Sequence, residues 1–456
     1  MARSMESAAL SAFAQAFGTP PTLVAWAPSR VELLGNHTDY NGGLVLAVAI
    51  DRFTVVAGRP AKGREARVGS VNFGQSEAFG VDEISRGEAG TWGRYVRGVV
   101  WAMQQHRGAL SAGFDATIAG DVPLGAGLSS SASLQAAVAL FLLGLGRGER
   151  GAALEAFNDA HVRRGGEGEA GESPRQSDRP SLMHSSPRNP ASHRGETSGL
   201  GQGGQSPFLV LDDPARMELA HVLRRSENEF VGVASGLLDQ FSVLFGRTGH
   251  VLTLDCRSLE YDRVALGPSP PGVVVCDSKT SRRLADGMYN RRREECERVV
   301  AFFQAERGRD AVRTLRDVSL ADLTEAWDRL DPVGRLRARH VLNENERVVR
   351  GSERLRAGDL AGFGRLISAS HASSRDDFAN SSPALDALVE AAEAAPGFLG
   401  GKLSGAGWAG CTVNLVAPGQ AEAFAESVAA SYARTTGTVP EIHICQAADG
   451  ADCRPA

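Results

Sequence analysis

Apolar residues recur at helical spacing over residues 5–17 and stop at Thr19-Pro20-Pro21, which predicts an opening helix. Short apolar runs follow at Leu23–Trp26 and Val31–Leu34. After a Gly/Asn-rich turn, Leu44–Ile50 and Phe53–Ala57 predict a pair of strands. Gly113–Ala119 predicts another strand, which runs through a glycine-rich turn into a long apolar helix from about Ser130 to Leu145. Further on, Ala215–Phe230 has helical periodicity, while Val251–Asp255 and Val273–Asp277 are strand-like. Helices dominate from Met288 to about Ala395, where Pro396-Gly397 ends the pattern. The last stretch alternates strand (Cys411–Val416), helix (Ala421–Thr435) and strand (Glu441–Cys445), the pattern of a helical face on an antiparallel sheet.

One segment breaks this order. From Gly165 to Ser206 the chain is mostly Gly, Ser, Pro, Arg, Glu and Gln, too poor in apolar side chains to offset its ordering entropy. It is expected to be a disordered insertion at 165–206. The expected division is a unit at 1–215 followed by a second at 216–456.

At 456 residues the chain exceeds a single compact core, and 42% apolar with 23% charged residues suits a globular protein. A balance of 49 basic and 54 acidic residues leaves −5, which provides no basic field for nucleic acid. No apolar run reaches membrane-spanning length, and the first residues lack a signal peptide's apolar core. Six scattered cysteines without CxxC pairs read as reduced thiols. These features predict a cytoplasmic protein, expected to be monomeric, with no membrane or nucleic-acid partner.

Three glycine-rich motifs and one acid carry the candidate chemistry. In Pro123-Leu124-Gly125-Ala126-Gly127-Leu128-Ser129-Ser130-Ser131 a strand enters a loop whose backbone N–H groups are free to approach an anion at a helix start. The hydroxyls suit phosphate or Mg²⁺, and the absence of GK[ST] excludes a Walker A loop. In the second motif, Arg30 to Gly43, Asn36, His37, Thr38, Asp39 and Tyr40 crowd a turn between apolar runs. That density suits either a pocket for several hydroxyls or an ordinary Asx/Gly turn. Gly400 to Cys411 contains GxGxxG, but a β-like run follows where a dinucleotide fold needs a helix. It better suits a turn lying close to a phosphate or a neighbouring loop. Asp239, among large apolar residues, requires a partner or a function.

Taken in order, these segments resemble the GHMP kinases, and within them the galactokinase branch. Arg30–Gly43 resembles the signature GRVNLIGEHTDYNxG, Pro123–Ser133 the phosphate motif PLGxGLSSSA, and Gly401–Cys411 the glycine motif near the C-terminus. Further similar stretches include Trp92–Val96, Asp255–Glu260, Tyr289–Cys296 and His340–Val348. The resemblance implies an α+β, two-domain GHMP kinase fold, with a ribosomal-protein-S5-like N-terminal domain and a ferredoxin-like C-terminal domain. It implies transfer of a phosphoryl group from MgATP to the C1 hydroxyl of galactose. By position, Asp239 would orient or deprotonate that hydroxyl, with Arg30 beside it keeping it ionised. Ser131 and Glu227 match Mg²⁺ positions, and the loop from Pro123 through Ser131 matches the ATP site. Asn36, His37, Asp39, Gly236 and Tyr289 match sugar-binding positions. Asn36 departs from the signature's Glu, so a kinase for another sugar, such as N-acetylgalactosamine, is the alternative expectation. A non-catalytic galactose sensor is disfavoured by the presence of Ser131-Ala132, Asp239 and Arg30.

Overall fold

The computed structural model describes residues 2–123, 125–147, 211–280 and 287–456. The segment 165–206 and Leu124 therefore lie outside the described residues. Helix α1 (Ala2–Phe17) precedes two long strands, β1 (Leu23–Leu34) and β2 (Leu44–Pro60), which pair antiparallel. The apolar pattern marked each strand as two short runs and set 44–50 against 53–57, and this pairing does not occur. Asp51 and Arg52 interrupt the pattern without turning the chain. Asp51 exchanges hydrogen bonds with the Gln446 backbone, and the Arg52 guanidinium donates to the Ile444 carbonyl at 3.1 Å. Register shifts at Pro28/Ser29 and Glu32/Leu34 let β1 follow the twist of its neighbour.

Strands β3 (Glu65–Ser70), β4 (Gln75–Gly80), β5 (Phe114–Gly120), β6 (His250–Asp255) and β7 (Tyr261–Ala265) extend this sheet. Strand β12 (Asp452–Pro455) adds to its edge, giving the order β12-β1-β2-β5-β3-β4, with β6 and β7 continuing from the first half of β2. Among the described residues only the β3–β5 pairing is parallel. Helices α2 (Trp92–Arg107), α3 (Ser130–Arg147), α4 (Asp213–Arg225) and α5 (Leu238–Phe245) bury their apolar faces in one core against the sheet. Helix α1 covers the other face through Ala9 against Val24, Val55 and Ala119.

The expected division at 215/216 falls inside α4, and the first sheet continues to Ala265. Leu219 and Leu223 share a core with Val99 and Phe141. The composition change before α4 thus interrupts one packed unit and does not border two.

The second sheet comprises β8 (Gly272–Asp277), β9 (Phe398–Leu403), β10 (Cys411–Val416) and β11 (Glu441–Cys445), antiparallel in the order β11-β8-β10-β9. Between β8 and β9 come α6 (Met288–Arg307), α7 (Leu320–Glu325), α8 (Pro332–Arg356), α9 (Leu360–Ser373) and α10 (Pro383–Glu393). Helices α10 and α11 (Ala421–Thr436) cover one face of this sheet. Its other face joins Val31, Leu33 and Val48 of the first sheet in a common core with Val275, Val413 and Leu415. Among the described residues no helix is long and apolar enough to cross a membrane.

Candidate active site

Alternation along β1 creates the floor of a cleft. Val31 and Leu33 point into the core shared by the two sheets, so Arg30 and Glu32 project to the opposite side. There they line a cavity of about 760 Å³, together with the signature turn, the phosphate-motif loop and the turn between β9 and β10. Large cavities with a few converging polar groups are the usual form of a small-molecule site.

Arg30 ties three elements together. Its Nε donates to Asp239 Oδ1 at 2.8 Å and its Nη2 to the same oxygen at 2.5 Å, while Nη1 donates to the Gly127 carbonyl at 2.8 Å. Arg30 is 5% exposed, whereas the Asp239 side chain retains 26% exposure toward the cavity. The acid sits in the first turn of α5, where N–H groups and the helix dipole favour negative charge.

The phosphate-motif loop surrounds the start of α3. Gly125 and Gly127 have φ of 73° and 79°, a left-handed backbone that glycine adopts without steric cost. Ser129 shares that region at φ 57°, and its buried hydroxyl has no partner among the described residues. Gly125 and Gly127 through Ser131 line the cavity; Pro123 and Ala126 shape the loop without lining it. The third glycine motif lies against this loop: a Cβ on Gly410 would come within 3.3 Å of Ala126 and Gly125 backbone atoms. It is the turn of an antiparallel hairpin, so the dinucleotide reading is excluded by topology.

Ser131 and Glu227 are brought into hydrogen-bond contact. Glu227 sits in a π-helical turn, Ser226–Val231, and also accepts from Ser235 Oγ at 2.9 Å and Gln240 Nε2 at 2.6 Å. Burial, and then the nearby Asp239, push its carboxyl up to about 7. A carboxylate and a hydroxyl beside a phosphate loop are hard oxygen donors of the kind Mg²⁺ takes alongside substrate phosphates and water. The donors and the crowding of negative charge fit a divalent cation. Among the described residues no cluster of three or more His, Cys, Asp or Glu forms an all-protein metal cage.

The signature turn supplies the remaining wall. His37 Nε2 faces the Ala406 carbonyl at 3.1 Å and must donate to it, so Nδ1 accepts from the Tyr40 hydroxyl at 2.9 Å. Burial lowers the imidazole to about 3, and it is neutral at physiological pH. Tyr289 lies beside it, with ring centroids 5.4 Å apart. Asp39 is raised to about 7, by burial first and by Asp239 and Glu32 after it, with the Tyr40 N–H and Arg30 opposing. Gly236 is the close-approach point: a Cβ there would stand 1.9 Å from Asp39 Oδ2.

Asn36 lines the cavity, yet its amide is engaged by the protein. Nδ2 donates to the Gly405 carbonyl at 2.9 Å, and Oδ1 accepts from Asn380 Nδ2 at 3.0 Å and Ser374 Oγ at 3.4 Å. Three buried residues absent from the sequence expectations surround it. Glu32 receives Lys402 Nζ at 2.5 Å, and Glu344 Oε2 accepts the Gly35 and Asn36 N–H groups at 2.9 and 3.0 Å. The polar-apolar alternation of Arg30-Val31-Glu32-Leu33 was a signal for Glu32; nothing local marked Lys402 or Glu344. Phe73 and Trp92 also line the cavity and lie nearly parallel, 5° apart in plane with centroids 6.4 Å apart.

The chain matches the galactokinase galactose-binding signature over residues 11–60, the GHMP kinase N-terminal domain over 94–161 and the GHMP kinase C-terminal domain over 352–434. It is 39% identical to the galactokinase of Roseiflexus sp. (strain RS-1) over 438 residues, spanning 96% of this chain and 94% of that protein. The galactokinase of Chloroflexus aurantiacus is 37% identical over 443 residues, spanning 97% and 96%. Among solved structures, Lactococcus lactis galactokinase complexed with galactose superimposes with a TM-score of 0.79 at 28% identity, over 98% of this chain and 99% of that one. Methanococcus jannaschii mevalonate kinase shares the fold, with a TM-score of 0.55 at 15% identity over 94% and 99%.

Proposed function

The chain belongs to the galactokinases of the GHMP kinase superfamily, and from that premise we propose how its residues transfer the γ-phosphoryl group of ATP to the C1 hydroxyl of galactose, giving galactose 1-phosphate and ADP. The observation that carries the reading is the Arg30–Asp239 pair, held against the phosphate-motif loop by the Arg30–Gly127 contact. It supports a C1 hydroxyl bound at Asp239 and aimed at a γ-phosphate bound at the start of α3.

In this reading the sugar oxygen forms a bond to the γ-phosphorus as the bond to the β–γ bridging oxygen breaks. The hydroxyl proton passes to the Asp239 carboxylate, and the leaving oxygen keeps its electron pair on ADP. Arg30 holds the Asp239 carboxylate in place and offsets charge on the transferred group. Backbone N–H groups of Gly125 to Ser131 and the Ser129 hydroxyl bind phosphate oxygens. Ser131 and Glu227 would hold Mg²⁺, which when bound neutralises phosphate charge. Phe73 and Trp92 offer aromatic faces for the base. Positioning and charge stabilisation suffice for this chemistry, because phosphoryl transfer needs little covalent help.

His37, Asp39, Gly236 and Tyr289 are the proposed sugar wall. The experiment is ADP release with galactose and a panel of monosaccharides, with the phosphorylated position read by NMR. Galactose 1-phosphate is expected as product; absence of sugar-dependent ADP release from MgATP-binding protein would overturn the reading.

A further inference from the structure

Two positions of the signature are exchanged in this chain. The signature has Asn before the apolar pair and Glu before His, whereas here Glu32 occupies the first and Asn36 the second. The carboxylate is thereby moved from the turn onto β1, on the same face as Arg30. Its environment shows what it is equipped to do. Glu32 is 4% exposed and Lys402 0%, and Lys402 Nζ bonds only one carboxylate oxygen, Oε1, at 2.5 Å. The other oxygen, Oε2, has Asn36 Nδ2 at 3.5 Å, the long limit of a hydrogen bond, and the residue borders the cavity. Asn36 itself cannot serve the sugar in the same way, since its amide is taken up by Gly405, Asn380 and Ser374.

We propose that Glu32, clamped by Lys402, is the hydroxyl acceptor that sets sugar preference in this chain, reading a ring hydroxyl remote from C1 through Oε2, the oxygen that Lys402 leaves unbonded. The inference rests on the sugar-kinase reading above. Two residues along a strand advance about 7 Å, so Glu32 stands across a six-membered ring from the Arg30–Asp239 end. A fully buried ion pair is seldom a gain over apolar residues of similar volume, and here its carboxylate partner, Glu32, lines the cavity. A carboxylate with one oxygen immobilised and the other met only by the 3.5 Å contact from Asn36 Nδ2 is instead a pre-oriented acceptor for a hydroxyl. Sites built to bond a hydroxyl discriminate strongly against analogues lacking it, because the buried acceptor is left unpaired.

The test is calorimetric binding of galactose, 2-deoxy-, 4-deoxy- and 6-deoxygalactose to wild type, Glu32→Asp and Glu32→Gln/Lys402→Met, with steady-state kinetics on galactose. Wild type should lose about 10- to 100-fold against either the 4- or the 6-deoxy sugar, the worth of a hydrogen bond to a charged group. Both variants should bind galactose more weakly by a comparable factor and lose most of that discrimination. Their KM should rise while kcat changes by only a few-fold. Glu32→Asp keeps the charge and the ion pair, so it tests the idea even if the double variant folds poorly. Variants that discriminate as wild type does, or a wild type indifferent to both deoxy sugars, would overturn the proposal. A wild type that makes no sugar phosphate from galactose would instead sink the underlying reading.

Discussion

Asp239 and Arg30 meet from positions 209 residues apart, and the consequences of breaking that meeting are specific. Asp239→Asn keeps the shape and removes the base, so kcat should fall by about 10²–10⁴ while sugar binding persists. Arg30→Ala should lower kcat as well, and less than additively in the double mutant, because the two side chains act on one charge. Turnover and calorimetry on both single mutants and the double mutant check this, and near-wild-type turnover by Asp239→Asn would remove it from the mechanism. Asp39 governs a pH dependence. Its carboxyl stands at about 7 in the fold against 3.8 for an ordinary aspartate, so between those values the folded chain holds the extra proton. Stability from this group is therefore lost as pH rises through that window, and the sugar-free protein gains less from Asp39 at pH 8 than at pH 5.5. If the proposed sugar wall binds hydroxyls through ionised Asp39, galactose affinity should fall by up to about tenfold per pH unit below 7. Asp39→Asn should flatten the Kd profile and remove only this group's share of the melting-temperature profile, to which Glu227, also at about 7, adds in the same sense. His37 acts in the opposite sense on stability: held at about 3 in the fold against 6.5 when unfolded, it adds stability as pH rises toward 6.5, while staying neutral in the folded site.

At the scale of elements, the signature turn is held from behind by a helix. Glu344 of α8 accepts the Gly35 and Asn36 N–H groups, while its other oxygen takes Arg347 Nε at 2.5 Å. Burial works against its charge, but Arg347, His340 and Lys402 outweigh it and hold the carboxyl near 2. His340 adds a hydrogen bond from Nε2 to the Asn36 carbonyl at 3.0 Å. Glu344→Ala should destabilise by about 3–5 kcal/mol, the cost of stranding a buried partner charge, and raise the KM for galactose more than it lowers kcat. Denaturant titration and kinetics at a temperature where the variant is folded check both parts. Elements with one strong local signal were legible in the sequence: α3 from its apolar run, β8 and β10 from their valines, the phosphate loop from its glycines. The long strands β1 and β2 were not, since polar pairs such as Asp51-Arg52 mimic a turn unless Gln446 is known to stand opposite. Asn36 was legible as a departure from the signature but not as a residue turned toward Gly405 and Asn380, because its partners come from distant parts of the chain.

The whole molecule is closed by pairings that no local pattern announces. Strands β6 and β7 return to β2 across the expected division, and β12 lies on β1 with Leu23 opposite Pro455 and Trp26 opposite Asp452. A chain ended after Ala451 would leave β1 as an open edge, and such edges recruit other chains. It should melt several degrees lower than the full chain and form larger species, measured by scanning calorimetry and size-exclusion chromatography. An unchanged melting temperature would show that β12 is ornamental. The position of β12 also has a meaning in time. Arg30 and Glu32 ride on β1, but the neighbour that completes its outer edge is synthesised several hundred residues later. During synthesis the nascent chain holds its catalytic strand half-paired while several hundred residues follow. The finished sheet thus reports that synthesis has passed β12.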